Sequence, residues 1–135
     1  MKDIKGGEGL MGGKNKVLVI DDDVSFLESV CLILKEEGFD VYDARTAESG
    51  FEAMVSFNPD LILLDINLPD KSGFDVLVSI KKSKDFSLIP VMLITADTAD
   101  TALTVDEAFD KGADDCIFKP MNPVDTIKRI KNLLK

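Results

Sequence analysis

Three short, nearly unbroken apolar runs, KVLVI (16–20), LILLD (61–65) and VMLIT (91–95), constrain this chain more than any other feature. Such runs are too short for helices, and they lack the alternation of a strand with one wet face. They fit strands covered on both faces, which is how parallel sheets are buried. Each ends abruptly on polar residues: three aspartates after the first, Asp65 at the end of the second and Thr95 at the end of the third.

The segments between these runs carry helical spacing. Ser25–Glu37 places Leu27, Val30, Cys31 and Leu34 on one face before Gly38 stops it. FDVYDA (39–44) reads as a short strand, followed by a helix near Ala47–Phe57 with Phe51, Met54 and Val55 on its apolar face. Pro59 ends that element, and Pro69, Asp70, Ser72 and Gly73 form a turn before a helix near Phe74–Lys82. A helix over about Thr101–Lys111 closes at Gly112, and CIF (116–118) reads as the last strand before Lys119-Pro120. Asn122 caps a final helix with Pro123 in its first turn, and Val124, Ile127, Ile130 and Leu134 form its expected buried face. The first fifteen residues are Gly- and Lys-rich without period and are expected to be a leader or remnant, leaving residues 16–135 as one domain.

Five strands alternating with five helices imply an α/β fold, a doubly wound parallel sheet with helices on both faces. In that architecture ligands bind outside the carboxyl ends of the strands. Asp21 and Asp22, Asp65, Thr95 and Lys119 all stand at such ends, so the sheet gathers them on one edge. Three converging carboxylates repel one another unless something positive sits among them. A hard divalent cation fits, and Mg²⁺ takes one or two carboxylates together with phosphate oxygens and water. Asp21 and Asp22 are therefore candidate metal ligands, with the backbone carbonyl of Asn67 as a further one. Asp65 is then a candidate nucleophile toward a phosphoryl group, Lys119 supplies positive field and Thr95 a hydroxyl donor. The bland alternative is that strand-end aspartates are turn formers and caps. It suits Asp23, read here as a helix cap, better than it suits four polar residues ending four different strands.

Charge and residue usage narrow the function classes. Sixteen basic against 25 acidic residues give a formal charge of -9, which disfavours nucleic acid and anionic membrane surfaces as direct partners. No stretch of eighteen apolar residues and no hydrophobic signal core exist, so a cytoplasmic location is the expectation. The chain has no histidine, which excludes Ser-His-Asp and Cys-His catalysis; any phosphohistidine belongs to a partner. Cys31 and Cys116 form no disulfide framework or zinc pattern.

VLVIDDD (17–23), LILLDINLPDKSG (61–73), VMLITA (91–96) and GADDCIFKP (112–120) together resemble the response-regulator receiver family, over roughly Lys16 to the C-terminus. The resemblance implies a (βα)5 flavodoxin-like sheet of strand order 2-1-3-4-5. It implies phosphorylation on Asp65, metal binding by Asp21, Asp22 and Asp65, with Mg²⁺ the usual ion and Mn²⁺ a substitute. It implies Thr95 as the switch hydroxyl, Lys119 as a phosphoryl contact and a cis peptide before Pro120. The implied donor is a sensor histidine kinase or a histidine phosphotransfer protein, with self-phosphotransfer and self-dephosphorylation as the only catalysis. Homodimerisation through the fourth helix, fifth strand and fifth helix is a further implication.

Two departures from the family pattern stand out. The strand position that is usually aromatic falls on Cys116, which has no ring to swing. The stretch from Thr95 to Lys119 is about two residues longer than usual, and residues 95–108 within it are unusually rich in Thr and Asp. The resemblance also implies that Asn67 and Asp97, two residues beyond Asp65 and Thr95, flank the approach of hydrolytic water. Two other classes compete with the phosphoacceptor reading: a phosphorylation-independent scaffold on the same fold, and a small-molecule phosphatase with an aspartyl nucleophile. The latter expects a nucleophile near the first strand and a cap segment, neither of which this chain has room to supply.

Overall fold

The computed structural model describes residues 15–96 and 101–135. The expected leader, residues 1–15, lies almost entirely outside the described residues, as does Asp97. The elements alternate as β1 Lys16–Ile20, α1 Val24–Glu36, β2 Asp40–Ala44, α2 Ala47–Phe57, β3 Leu61–Asp65, α3 Gly73–Lys82, β4 Val91–Ala96, α4 Thr101–Asp110, β5 Asp115–Lys119 and α5 Pro123–Leu133. The strands form one parallel sheet of order β2-β1-β3-β4-β5, the doubly wound arrangement expected from the sequence.

Why the apolar runs are unbroken is visible in the packing, because successive side chains of a strand serve opposite faces. Leu18, Ile20, Ile62, Leu64 and Leu93 pack with residues of α2, α3 and α4 on one face. Val17, Val19, Leu61, Leu63, Met92, Ile94 and Ile117 pack with α1 and α5 on the other. All five β3 residues are buried, as befits the central strand. Cys31 belongs to the second core and Cys116 to the first, so the sheet separates the two thiols.

The helix ends follow local chemistry. Asp23 caps α1 by accepting from the Phe26 N–H, as read from the sequence. Thr46 and Ser49 form a reciprocal capping box on α2. Asn122 caps α5 with Pro123 in its first turn.

Two helix faces differ from the sequence expectation. Val55 of α2 is 74% exposed, and the buried face is built of Ala47, Gly50, Ala53 and Met54. Val124 of α5 is likewise 74% exposed, and Thr126 is buried beside Ile130 in its place. In α2 the helix lies so close to Ile20 that small side chains such as Gly50 are selected, so the phase of the buried stripe is not that of the largest apolar residues. No helix among the described residues is long and apolar enough to cross a membrane.

Candidate functional site

The carboxyl ends of β1, β3, β4 and β5 bring Asp21, Asp65, Thr95 and Lys119 to one edge of the sheet. Alternation along the strands then decides which way each side chain faces. Asp65 follows Leu61 and Leu63, and Lys119 follows Ile117, so both belong to the α1/α5 side. Thr95 follows Leu93 and belongs to the opposite side. Asp21 is fully buried and Asp65 is 5% exposed, whereas Asp22 is open to solvent.

Carboxylate oxygens of Asp21, Asp22 and Asp65 lie within 4.8 Å of one another. Lys119 Nζ stands 2.8 Å from Asp21 Oδ2, 3.7 Å from Asp23 Oδ2 and 3.9 Å from Asp65 Oδ2. Burial, and then the Asp21 charge, push the Asp65 carboxyl up to about 7, against the opposing Asn67 N–H and Lys119. Burial works to lower the Lys119 pKa, but its close contact with Asp21 and the Asp65 charge carry it above the ordinary lysine value. One lysine therefore does not satisfy this group of acids.

The residues present fit a hard divalent cation. Asp21 Oδ2 is buried, and its contact with Lys119 is an ion pair rather than a well-directed hydrogen bond, so the oxygen retains an unused acceptor direction. The other oxygen, Oδ1, accepts from the Asp23 N–H at 2.9 Å, which fixes the carboxylate plane. Unneutralised and underbonded carboxylate oxygens at one solvent-facing edge are what Mg²⁺ or Mn²⁺ coordinates.

The loop between β3 and α3 is closed around the phosphoacceptor candidate. Asn67 N–H donates to Asp65 Oδ1 at 3.3 Å, Gly73 N–H donates to the Ile66 carbonyl at 2.6 Å, and Asn67 bridges Ser72. Gly73 sits so close behind β3 that a Cβ there would collide with the Asp65 carbonyl oxygen and stand 2.6 Å from Ile66 Cα. At the loop tip both oxygens of Asp70 accept from α2, from the Ala47 N–H at 2.9 Å and the Glu48 N–H at 3.1 Å.

Thr95 is nearly buried, with its hydroxyl donating weakly to the Ala96 carbonyl at 3.3 Å. Its partner across the β4–β5 ladder is Phe118, whereas Cys116 pairs with Leu93, two residues deeper in the sheet. The side chains of Phe118 and Cys116 share the α2/α3/α4 face. Burial, and then Asp115, raise the Cys116 thiol above its ordinary pKa, and burial with Asp43 pushes Cys31 up to about 11. Both shifts favour the protonated thiol. The Lys119-Pro120 peptide is cis.

Three neighbours of this site were not legible in the sequence as site residues. Phe26, in the first turn of α1, lays its ring 4.5 Å from Lys119 Nζ. Asp70 and Gly73 were legible only as turn residues, although one ties the loop to α2 and the other is demanded by close backbone approach.

A doubly wound sheet with acids at the ends of β1 and β3 and a lysine at the end of β5 defines an α/β domain with an acidic pocket at the carboxyl edge of its sheet. Residues 17–131 match the response regulator receiver domain family, and the chain belongs to it as a receiver domain of two-component response regulators. It is 38% identical over 123 residues to the transcriptional regulatory protein CpxR homolog of Haemophilus influenzae, covering 90% of this chain and 51% of that protein. It is 37% identical over 121 residues to the cell cycle transcriptional regulator CtrA of Caulobacter vibrioides, covering 89% of this chain and 50% of that one. The chain thus spans about half the length of these relatives. Among solved structures it is similar to the CheY-like receiver domain protein of Methanospirillum hungatei, with TM-score 0.80 and 31% identity over 90% of this chain and 94% of that one.

Proposed function

We propose that this chain is a Mg²⁺-dependent phosphoacceptor that takes a phosphoryl group from a phosphohistidine onto Asp65. The observation that carries the reading is the grouping of Asp65, Asp21 and Asp22 oxygens within 4.8 Å with Lys119 Nζ 3.9 Å from Asp65. Asp21, Asp22, Asp65 and the Asn67 backbone carbonyl would hold the ion. When bound, Mg²⁺ neutralises the acids and the equatorial phosphoryl oxygens.

The chain's own groups supply the rest. An Asp65 carboxylate oxygen attacks phosphorus in line with the phosphohistidine nitrogen. The nitrogen–phosphorus bond breaks, its electron pair returns to the imidazole, and an acyl phosphate remains on Asp65. Lys119 needs little movement to meet a phosphoryl oxygen, since it already stands near Asp65. Thr95 Oγ1 is weakly engaged and can turn to donate to another oxygen. Transfer to Asp65 and later hydrolysis are the only chemistry proposed, with no separate substrate turnover.

A sensor histidine kinase or histidine phosphotransfer protein is the proposed donor, in the cytoplasm. Switching would alter a protein-binding surface, and α4, β5 and α5 form the proposed face for a homodimer. Direct contact with nucleic acid or membrane is not proposed for this acidic chain.

The test is intact mass after incubation with Mg²⁺ and acetyl phosphate, since the chain has no tryptophan for a quenching assay. One phosphoryl mass is gained by the parent chain and by neither Asp65→Asn nor a chelated control. Absence of the adduct in the parent, together with no beryllofluoride binding by NMR, would leave the phosphorylation-independent scaffold as the better reading.

A further inference from the structure

We propose that Phe26 is a positioning residue for Lys119, holding its ammonium at the phosphoacceptor by the face of its ring. The inference rests on the phosphoacceptor reading and adds a residue to it.

Lys119 Nζ has carboxylates at 2.8, 3.7 and 3.9 Å and the Phe26 ring centroid at 4.5 Å. The ring is held in place from both directions. Its backbone N–H donates to the Asp23 cap, and its side chain packs against the α1/α5 core. Beyond it opens a cleft of about 540 Å³ between α1 and the β5–α5 loop, lined by Phe26, Ser29, Ile33, Pro120, Met121 and Lys119 itself. An ammonium is strongly hydrated on a flexible stem. With solvent on the cleft side and the exposed Asp23 carboxylate as an alternative partner, Lys119 without the ring has somewhere else to go.

A ring suits this position better than another acid would. Its quadrupole attracts the cation without accepting a proton or forming an ion pair, so the positive charge stays available to the phosphoryl oxygens. A fourth carboxylate would hold the lysine as well but cancel that charge. Aliphatic residues would fill the space and hold nothing.

The experiment measures the initial rate of Asp65 phosphorylation by acetyl phosphate at saturating Mg²⁺ across substitutions at this one position. Phe26→Leu is expected to slow the reaction about three- to tenfold, while Phe26→Tyr and Phe26→Trp stay within about twofold of the parent. Phenylalanine carrying one, two and three ring fluorines, which weaken the quadrupole at nearly constant shape, is expected to lower the rate progressively. In parallel, the Lys119 ε-methylene protons should be shielded by the ring in the parent and move downfield in Phe26→Leu, a readout independent of activity. A Leu variant that keeps the parent rate, or fluorinated rings that leave it unchanged, would overturn the role. A parent that takes up no phosphoryl group overturns the phosphoacceptor reading and this role with it, while a reactive parent beside an equally reactive Phe26→Leu overturns only the latter.

Discussion

Asp65 illustrates how one residue links fold, stability and site. Its folded-state pKa of about 7 stands above the ordinary carboxyl value of 3.8 because burial and Asp21 disfavour the charge. Between those two values the folded chain holds a proton that the unfolded chain has released, so the stability this group contributes is lost as pH rises. In chelator, Asp65→Asn should therefore melt above the parent at pH 8, with the difference shrinking toward pH 4 in a thermal-denaturation series. Added Mg²⁺ should raise the melting temperature of the parent and not of Asp65→Asn, because only the parent keeps the full set of acids. Gly73 makes a steric prediction at the same scale. Gly73→Ala forces the loop away from the Asp65 carbonyl and should cost about 1–3 kcal/mol in urea unfolding, as overpacking does.

The β3–α3 loop and α2 behave as a coupled pair of elements. Asp70 leaves the loop tip to cap two α2 N–H groups, and those bonds hold its carboxyl below the usual range. Asp70→Ala should speed hydrogen exchange at the Ala47 and Glu48 amides while leaving Ser49, bonded to Thr46, protected. Equal exchange at all three amides, or none faster than in the parent, would argue that the loop does not restrain the helix. The basic side chains of α5 are also partly committed within the chain. Arg129 pairs with Asp115 and Asp125, and Lys131 with Glu37, so a partner meeting this face competes with existing pairs.

Across the whole molecule the two ends of the sheet have separate tasks. At the end opposite the candidate site, Lys81 Nζ donates to the Ile89 carbonyl at 2.9 Å and to Asp114 Oδ2 at 3.0 Å. The same Asp114 oxygen accepts from the Val91 N–H at 2.8 Å, so one lysine ties α3 to the starts of β4 and β5. Lys81→Met leaves these acceptors short of a donor and should destabilise the chain by about 1–3 kcal/mol. Because the staple lies a strand's length from Asp65, the phosphorylation rate at a temperature where both proteins are folded should match the parent. A parallel loss of rate would show that the two ends are coupled.

The apolar runs ending on Asp21, Asp65 and Thr95 made the sheet and the convergence of acids legible from residue order alone. Unbroken apolar strands must be covered on both faces, right-handed crossovers then make them parallel, and parallel strands put their carboxyl ends on one edge. Val55 and Val124 were misplaced because apolar character alone does not reveal helix phase: close packing against Ile20 favours Gly50 and Ala53 in α2, and in α5 Thr126 is buried in place of Val124. The ring of Phe26 over Lys119, the reach of Asp70 to α2 and the pairing of Phe118 with Thr95 join residues 93, 23 and 23 positions apart. Such contacts depend on where elements sit in space to within a few ångströms, which strand and helix periodicity cannot specify. Residue order is enough to specify the architecture and the edge on which the acids meet; which neighbours hold them there follows from packing in three dimensions, because side-chain contacts across elements depend on packing geometry and not on local pattern.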